Sequence, residues 1–197
     1  VKPLNYDFAK KGYALVVVGT GGSHADLTDA YASIPAEMKA VAAFFGEEYL
    51  RRVRPEQIIQ ELPRLHGKVS DRAIMRAMHF FKENQRVVKQ VEALEKDDLD
   101  SFFTEIIASG RSSFMYLQNV FASPEEQSLS LALCLAEDKL TGKGAWRVHG
   151  GGFAGTTLNF VPVAELPSFI DEMEGVFGMH KCQVLDIRPE GAACLAL

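Results

Sequence analysis

The sequence predicts an α+β fold, with an antiparallel sheet built from both ends of the chain and helices in the middle. Apolar, β-branched runs of strand length occur near the start, in "GYALVVVGT", and again in the last third, in "GAWRVHG", "TTLNFVP" and "CQVLDI". Between them, apolar residues recur at spacings of three and four, which is typical of amphipathic helices. Strands separated by a block of helices favour the α+β class.

Composition and charge limit the possible partners. At 197 residues the chain is long enough to bury a core of ordinary size, and its net charge of −5 argues against nucleic-acid binding, which needs a basic surface. Its apolar runs are too short to cross a bilayer, so we expect no membrane partner. Cys134, Cys182 and Cys194 have the spacing of neither a disulfide framework nor a zinc site, and they predict a reducing, cytoplasmic compartment.

The first elements follow from turn and proline signals. Residues 12–20 form a continuous apolar run and predict a buried strand. The loop "GGSHADLTDAY" follows, where Ser23 is a candidate helix cap. Pro35 then predicts the start of a helix that ends at Gly46, and Pro55 opens another.

Two long helices and a third shorter one occupy the middle of the chain. A helix over residues 70–94, capped by Ser70, places on one face Ala77, Phe80, Phe81, Val87, Val88, Val91 and Leu94. After "EKDD" a second helix places on one face Leu99, Phe102, Phe103, Ile106 and Ile107. Ser123 and Glu126 have the spacing of a capping box around Pro124 and predict the start of the next helix.

A glycine-rich stretch lies between two predicted strands of the last third. Gly150, Gly151, Gly152 and Gly155 allow left-handed backbone and a close approach by another group. Successive backbone N–H groups in such a turn can also bind an anion. No Lys–Ser/Thr pair follows the stretch, so it is not a Walker phosphate-binding loop. It opens no helix, so it is not the dinucleotide-binding turn either. From the residues alone, a hairpin turn and a ligand-facing loop remain equally open.

Four segments resemble the GHMP small-molecule kinases in their galactokinase form. "HGGGFAGTTLNFV" resembles the third conserved motif of that superfamily, and the other three are similar to further galactokinase segments in the same order: "YALVVVGTGGSHADLTDAY", "SDRAIMRAMHFFKENQRVVKQVEALEKDDLDSFFTEI" and "CQVLDIRPEGAA". The resemblance covers nearly the whole chain. It implies a GHMP-kinase C-terminal domain over residues 21–197, with an antiparallel, ferredoxin-like sheet, and it assigns residues 1–20 to a residual strand of the N-terminal kinase domain.

The activity that the resemblance implies is ATP-dependent phosphorylation of galactose at its C1 hydroxyl. In that family the catalytic aspartate, its arginine partner, the galactose signature and the main phosphate loop lie upstream, and this sequence contains no match to them. We therefore expect the C-terminal part of such an enzyme, inactive alone, with no catalytic residue or metal ligand of its own. Its expected partners are galactose, ATP with Mg²⁺, and the N-terminal half of the same enzyme. The chain begins with Val1 and not with Met, which agrees with the expectation of a C-terminal part.

The resemblance assigns two candidate site features. The third motif, which in the family lies against the cleft and supports the phosphate loop of the other half, corresponds to Gly150, Gly151, Gly152, Phe153, Ala154 and Gly155. Tyr31, seven residues after His24, matches a tyrosine whose hydroxyl contacts the sugar. Around it, "TGGSH" and "ASIPAE" lack the asparagine, basic residue and arginine pair that the family often has.

Two other functions remain open from the sequence. One is a non-catalytic galactose- and ATP-binding sensor on the same fold, and the other is a GHMP kinase for another sugar. His24 could face the cleft or be a solvated histidine at a helix start, and His149 could approach phosphate or have a structural role. His79 on the long helix is predicted to be a core or groove histidine. No pair of histidines has metal-ligand spacing with a carboxylate, so we expect no metal site here.

Overall fold

The computed structural model describes residues 4–21, 27–153 and 155–187 of the 197-residue chain. The helices and strands along it are β1 (Tyr13–Gly19), α1 (Thr28–Phe44), α2 (Pro55–Gln60), α3 (Leu62–Leu65), α4 (Asp71–Glu95), α5 (Leu99–Ser112), a π-helical turn (Ser113–Leu117), α6 (Ser128–Leu140), β2 (Ala145–His149), β3 (Thr156–Pro162), α7 (Leu166–Phe177) and β4 (Cys182–Leu185). The predicted α+β class is confirmed.

The strands form one antiparallel sheet in the order β2-β3-β1-β4. This is the ferredoxin-like order, in which helices connect β1 to β2, a hairpin joins β2 to β3, and α7 connects β3 to β4. The sequence prediction separated residues 1–20 from residues 21–197, yet β1 is hydrogen-bonded on both sides to later strands and lies in the middle of this sheet. The sheet therefore includes β1, and an origin of residues 1–20 in an N-terminal kinase domain stays a prediction.

Apolar side chains cover both faces of the sheet. On one face, Val16 and Val18 of β1 lie in a buried cluster with residues of α6 and α7. On the other face, Phe160 of β3 packs with Phe102 and Phe103 of α5. A third cluster lies among α1, α2, α3 and the first half of α4. The helical layer that carries Tyr31 is thus a packed unit with its own core.

The long helices begin where the sequence predicts. The Ser70 hydroxyl accepts a hydrogen bond from the Ala73 N–H at 3.1 Å and caps α4. The predicted apolar face of α4 is only partly buried, because Val87, Val88 and Val91 remain 52%, 57% and 37% exposed. Helical spacing places residues on one side, but it does not determine how far a neighbouring element covers that side. No helix within the described ranges is both long and apolar enough to span a membrane.

Two predicted helix starts are wrong. Pro35 lies inside α1, which begins seven residues earlier at Thr28, because packing of α1 against α4 outweighs the loss of one backbone hydrogen bond. Ser123 does not cap α6, which begins at Ser128. Its hydroxyl bonds instead to the backbone N–H and carboxylate of Glu125, and this local turn replaces the predicted capping box.

Candidate functional site around the glycine loop

The glycine loop, residues 150–155, joins β2 to β3 in a hairpin; Ala154 lies outside the described residues. Its backbone is left-handed at Gly150, Gly152, Phe153 and Gly155, with φ of 69°, 78°, 62° and 141°. Phe153 adopts this conformation although it is not glycine, and its side chain is buried. A non-glycine residue in this region is strained and needs support from its surroundings, so the contacts of the loop decide its shape.

Tyr31 on α1 supplies one support for the loop. Its hydroxyl donates a 2.8 Å hydrogen bond to the Gly152 carbonyl, and its ring meets the Phe153 ring edge to face, with centroids 5.2 Å apart. A Cβ on Gly151 would lie 2.8 Å from Tyr31 Cε1, closer than real side chains approach. The two site features assigned from the sequence are therefore in direct contact, and the phenol is a structural partner of the loop.

Asn119 supplies a second support, and the sequence reasoning missed it. The Asn119 carbonyl accepts a hydrogen bond from the Phe153 N–H, and the Asn119 side-chain amide donates to the Gly151 carbonyl at 3.1 Å. A Cβ on Gly152 would overlap the Asn119 carbonyl oxygen, so only glycine fits there. Asn119, between Gln118 and Val120, carries no periodic signal, and only the fold places it against the loop.

The end of the loop is held by Thr20, the residue directly after β1. The Gly155 carbonyl accepts hydrogen bonds from both the N–H and the hydroxyl of Thr20, each at 2.9 Å. The loop is therefore attached to α1, to Asn119 and to the end of β1. Because the Phe153 N–H is directed at Asn119, it is not one of the donors that an anion above the loop could use.

The histidines fall in different environments. His149, at the end of β2, contacts the Thr156 hydroxyl across the hairpin at 3.2 Å and is exposed; its role stays a prediction. His79 is buried and lies 3.0 Å from the Ser112 hydroxyl, which confirms the predicted core histidine. Burial lowers the pKa of the His79 imidazole below its usual value. His24 and the proposed cap Ser23 lie outside the described residues.

A second polar cluster lies between the helices α4 and α5 and the strand β2, which leads into the loop. Glu83 of α4 accepts hydrogen bonds from the Ser109 hydroxyl and, at 2.7 Å, from the Arg86 guanidinium, and Arg147 of β2 lies 3.6 Å from the same carboxylate. Burial alone would raise the pKa of Glu83, but these hydrogen bonds and the Arg147 charge together lower it. The cluster joins α4 and α5 to the sheet.

Metal binding finds no support among these side chains. Among the residues that the structure describes, no group of three or more His, Cys, Asp or Glu could hold a metal ion. What the site offers is a mostly backbone surface that is hydrogen-bonded to Tyr31, Asn119 and Thr20.

Comparison with known proteins identifies the relatives of the chain. No family model matches it. It is 32% identical over 151 residues to a galactokinase of Actinobacillus pleuropneumoniae, a match that covers 77% of this chain and 38% of the relative. The chain is a relative of the galactokinases. A galactokinase of Streptomyces coelicolor is 28% identical over 198 residues, which cover 98% of this chain and 48% of that protein.

The solved structure of Lactococcus lactis galactokinase complexed with galactose has the same fold. It superposes with a TM-score of 0.70 at 20% identity, over 88% of this chain and 44% of the galactokinase chain. The chain thus spans less than half the length of the galactokinases that it matches, a share that fits the predicted C-terminal portion of such a protein.

Proposed function

We propose that this chain is the C-terminal part of a galactokinase that transfers the γ-phosphoryl group of ATP to the C1 hydroxyl of galactose. The observation that carries the proposal is the hydrogen bond from Tyr31 to the Gly152 carbonyl. It joins the residue that the galactokinase resemblance assigns to the sugar and the loop that the resemblance assigns to the phosphate side of the cleft. The galactokinase relatives support the same assignment.

Phosphoryl transfer depends mainly on positioning and on stabilising charge on the moving group, so a loop held by several hydrogen bonds is a suitable contribution. In the proposed enzyme, residues 150–155 form one wall of the nucleotide cleft and support the phosphate loop of the other half. Tyr31 binds the sugar. A phenol donates one hydrogen bond and can accept others, so donation to Gly152 is compatible with acceptance from a galactose hydroxyl.

The reaction also needs a base, ATP and Mg²⁺. On the galactokinase resemblance, we assign the Mg²⁺ ligands, the catalytic base and most of the ATP contacts to the N-terminal half. Mg²⁺ would supply charge stabilisation for the phosphates. On this proposal the 197-residue chain alone is inactive, and the complete enzyme works in the cytoplasm.

A substrate panel on the full-length protein that contains this chain tests the proposal. With ATP and Mg²⁺, galactose should be phosphorylated far faster than glucose, mannose or N-acetylgalactosamine. Preference for another sugar would support the alternative of a different GHMP kinase, which the sequence departures around Tyr31 leave open. Saturable binding of galactose and ATP without turnover would support a sensor. Turnover by the 197-residue chain alone would contradict the assignment of the base to the other half.

A further inference from the structure

Arg76, near the start of α4, is a fully buried cation that the sequence reasoning did not single out. Its side chain is 1% exposed and contacts two other parts of the chain. Its Nε donates to the Leu117 carbonyl at 3.0 Å, while Nη1 donates to the Ser33 hydroxyl and to the Glu37 carboxylate, both at 2.9 Å. A buried guanidinium is costly unless it is paired and hydrogen-bonded, so these contacts fix its position.

The Leu117 carbonyl, which Arg76 binds, lies two residues before Asn119, a support of the loop. The π-helical turn Ser113–Leu117 follows α5 and ends at Gln118, whose backbone is left-handed. Carbonyls at the end of a helix have no partner within it, and Arg76 supplies one for Leu117. Two residues later, Asn119 holds the glycine loop through its carbonyl and its side chain. Arg76 therefore fixes Leu117, the first residue of the 117–119 segment, and Asn119 at the other end of that segment is hydrogen-bonded to the glycine loop.

The contacts with Ser33 and Glu37 lie on the helix that carries Tyr31. Ser33 is two residues from Tyr31, and its hydroxyl donates to the Ala30 carbonyl at 2.7 Å while it accepts from Arg76. Glu37 follows about one turn later. Two of the supports of the loop, Tyr31 and Asn119, come from separate parts of the chain, and one guanidinium bonds to both parts.

We propose that Arg76 is a positioning residue for the glycine loop. It fixes the Tyr31 turn of α1 relative to the 117–119 segment, and so determines where the backbone of residues 151–153 lies without touching it. The geometry of the loop carries this inference by itself; its consequence for catalysis rests on the proposed kinase function.

The chain offers a matched control for Arg76. Arg72, one turn earlier on α4, pairs with the same Glu37 carboxylate through Nη2 at 2.6 Å, but it is 49% exposed. Its hydrogen bonds reach Glu37, whereas those of Arg76 also reach Leu117 and Ser33. Arg76→Met and Arg72→Met therefore both remove a cation from Glu37, and the first also removes the link to the loop supports.

The experiment uses the full-length protein labelled with ¹⁵N-glycine. We expect Arg76→Met to shift the backbone amide signals of Gly151 and Gly152, and Arg72→Met to leave them in place. In the kinase assay, Arg76→Met should lower kcat/KM for galactose about tenfold more than Arg72→Met, a loss expected when a group is misplaced by a fraction of an ångström. Arg76→Lys, which keeps the charge but cannot bond two sites with a planar fork, should fall between them.

Unchanged Gly151 and Gly152 signals in a folded Arg76→Met protein would overturn the inference. If that variant does not fold, the comparison of Arg76→Lys with Arg72→Lys decides: shifted loop signals in the first alone support the inference, and unchanged signals in both overturn it. If the wild-type protein does not phosphorylate galactose, the proposed function fails, while the glycine signals still test the role of Arg76.

Discussion

α4 carries two polar networks, seven residues or about two turns apart, that lead to different parts of the molecule. The Arg76 network connects α1 with the segment after α5, and both of these hold the glycine loop. The Glu83 network connects α5 with β2. On the proposed role of Arg76, the partners of a buried charge decide whether it positions a site or attaches a sheet.

The two networks also differ in how their charges are balanced. The Arg76 side chain is 1% exposed, and burial lowers the pKa of its guanidinium although Glu37 opposes this. The Glu83 side chain is 22% exposed and faces Arg86 and Arg147. We therefore expect damage to the first network to change the loop, and damage to the second to change mainly the free energy of unfolding.

The largest loss of activity is expected from Gly152→Ala, because Gly152 packs against Asn119, the loop support that the Arg76 network holds. The added Cβ would overlap the Asn119 carbonyl at a φ of 78°, so the loop must move. A displacement of about 1 Å predicts a loss of about 100-fold in galactose phosphorylation by the full-length protein. Gly150→Ala is the control: it has a φ of 69° but open space around the new Cβ, so it carries only backbone strain of about 1 kcal/mol. Equal activity of the two variants would contradict the packing of the loop.

The next largest effect is expected from Glu83→Gln, which breaks the second network. Arg86, Arg147 and the Ser109 hydroxyl lose a charged acceptor, and the free energy of unfolding should fall by about 2 kcal/mol in urea denaturation. Glu105→Gln is the control, because its partner Lys89 is 63% exposed and such pairs contribute about 0.5 kcal/mol. A shift of the Gly151 amide signal in Glu83→Gln would show that the two networks are not separate.

A smaller effect is expected from Tyr31→Phe, which removes one support of the loop and keeps the ring. Loss of the bond to the Gly152 carbonyl should cost about 1 kcal/mol of stability. If the hydroxyl also binds galactose, KM for galactose should rise about fivefold, with KM for ATP unchanged. Tyr49→Phe, on an exposed side chain, is the control. Reduced stability with an unchanged galactose KM would assign Tyr31 a structural role alone.

The smallest effect is a pH dependence from His79, which faces Glu83, Arg86 and Arg147. Burial lowers the folded-state pKa of His79 below the unfolded value of about 6.5, so the unfolded chain binds the proton first as pH falls. Stability should therefore decrease as the pH falls below about 7, and level off once the pH passes the folded-state pKa. Urea denaturation of wild type and His79→Gln between pH 7.5 and 5 should show a shallower decrease in the variant. Identical slopes would contradict the assignment.

Local patterns predicted most of the framework and little of the site. Apolar runs placed β1 to β4, and helical spacing with the Ser70 cap placed α4, because these signals depend on nearby residues. The helix starts predicted from Pro35 and Ser123 were wrong. Tertiary packing extends α1 through Pro35, and the Ser123 hydroxyl is used in a local turn with Glu125. Both failures concern helix starts, where short-range alternatives compete.

The supports of the glycine loop could not be read from the sequence. Asn119 and Arg76 lie 32 and 75 residues before Gly151, and nothing in their local sequence indicates that they act on the same loop. Tyr31 was found through its resemblance to a sugar-binding tyrosine, yet its contact with Gly152 was not expected. Such contacts depend on the packing of α1, α4 and the 117–119 segment together.

The most direct test is to titrate galactose and ATP into the full-length protein labelled with ¹⁵N-glycine. If the loop forms a wall of the cleft, the amide signals of Gly151, Gly152 and Gly155 should shift saturably, while that of Gly67, in the turn after α3, should stay in place. Saturable turnover of galactose without any shift at the loop would contradict the proposed site. Absence of both binding and turnover would contradict the proposed function itself.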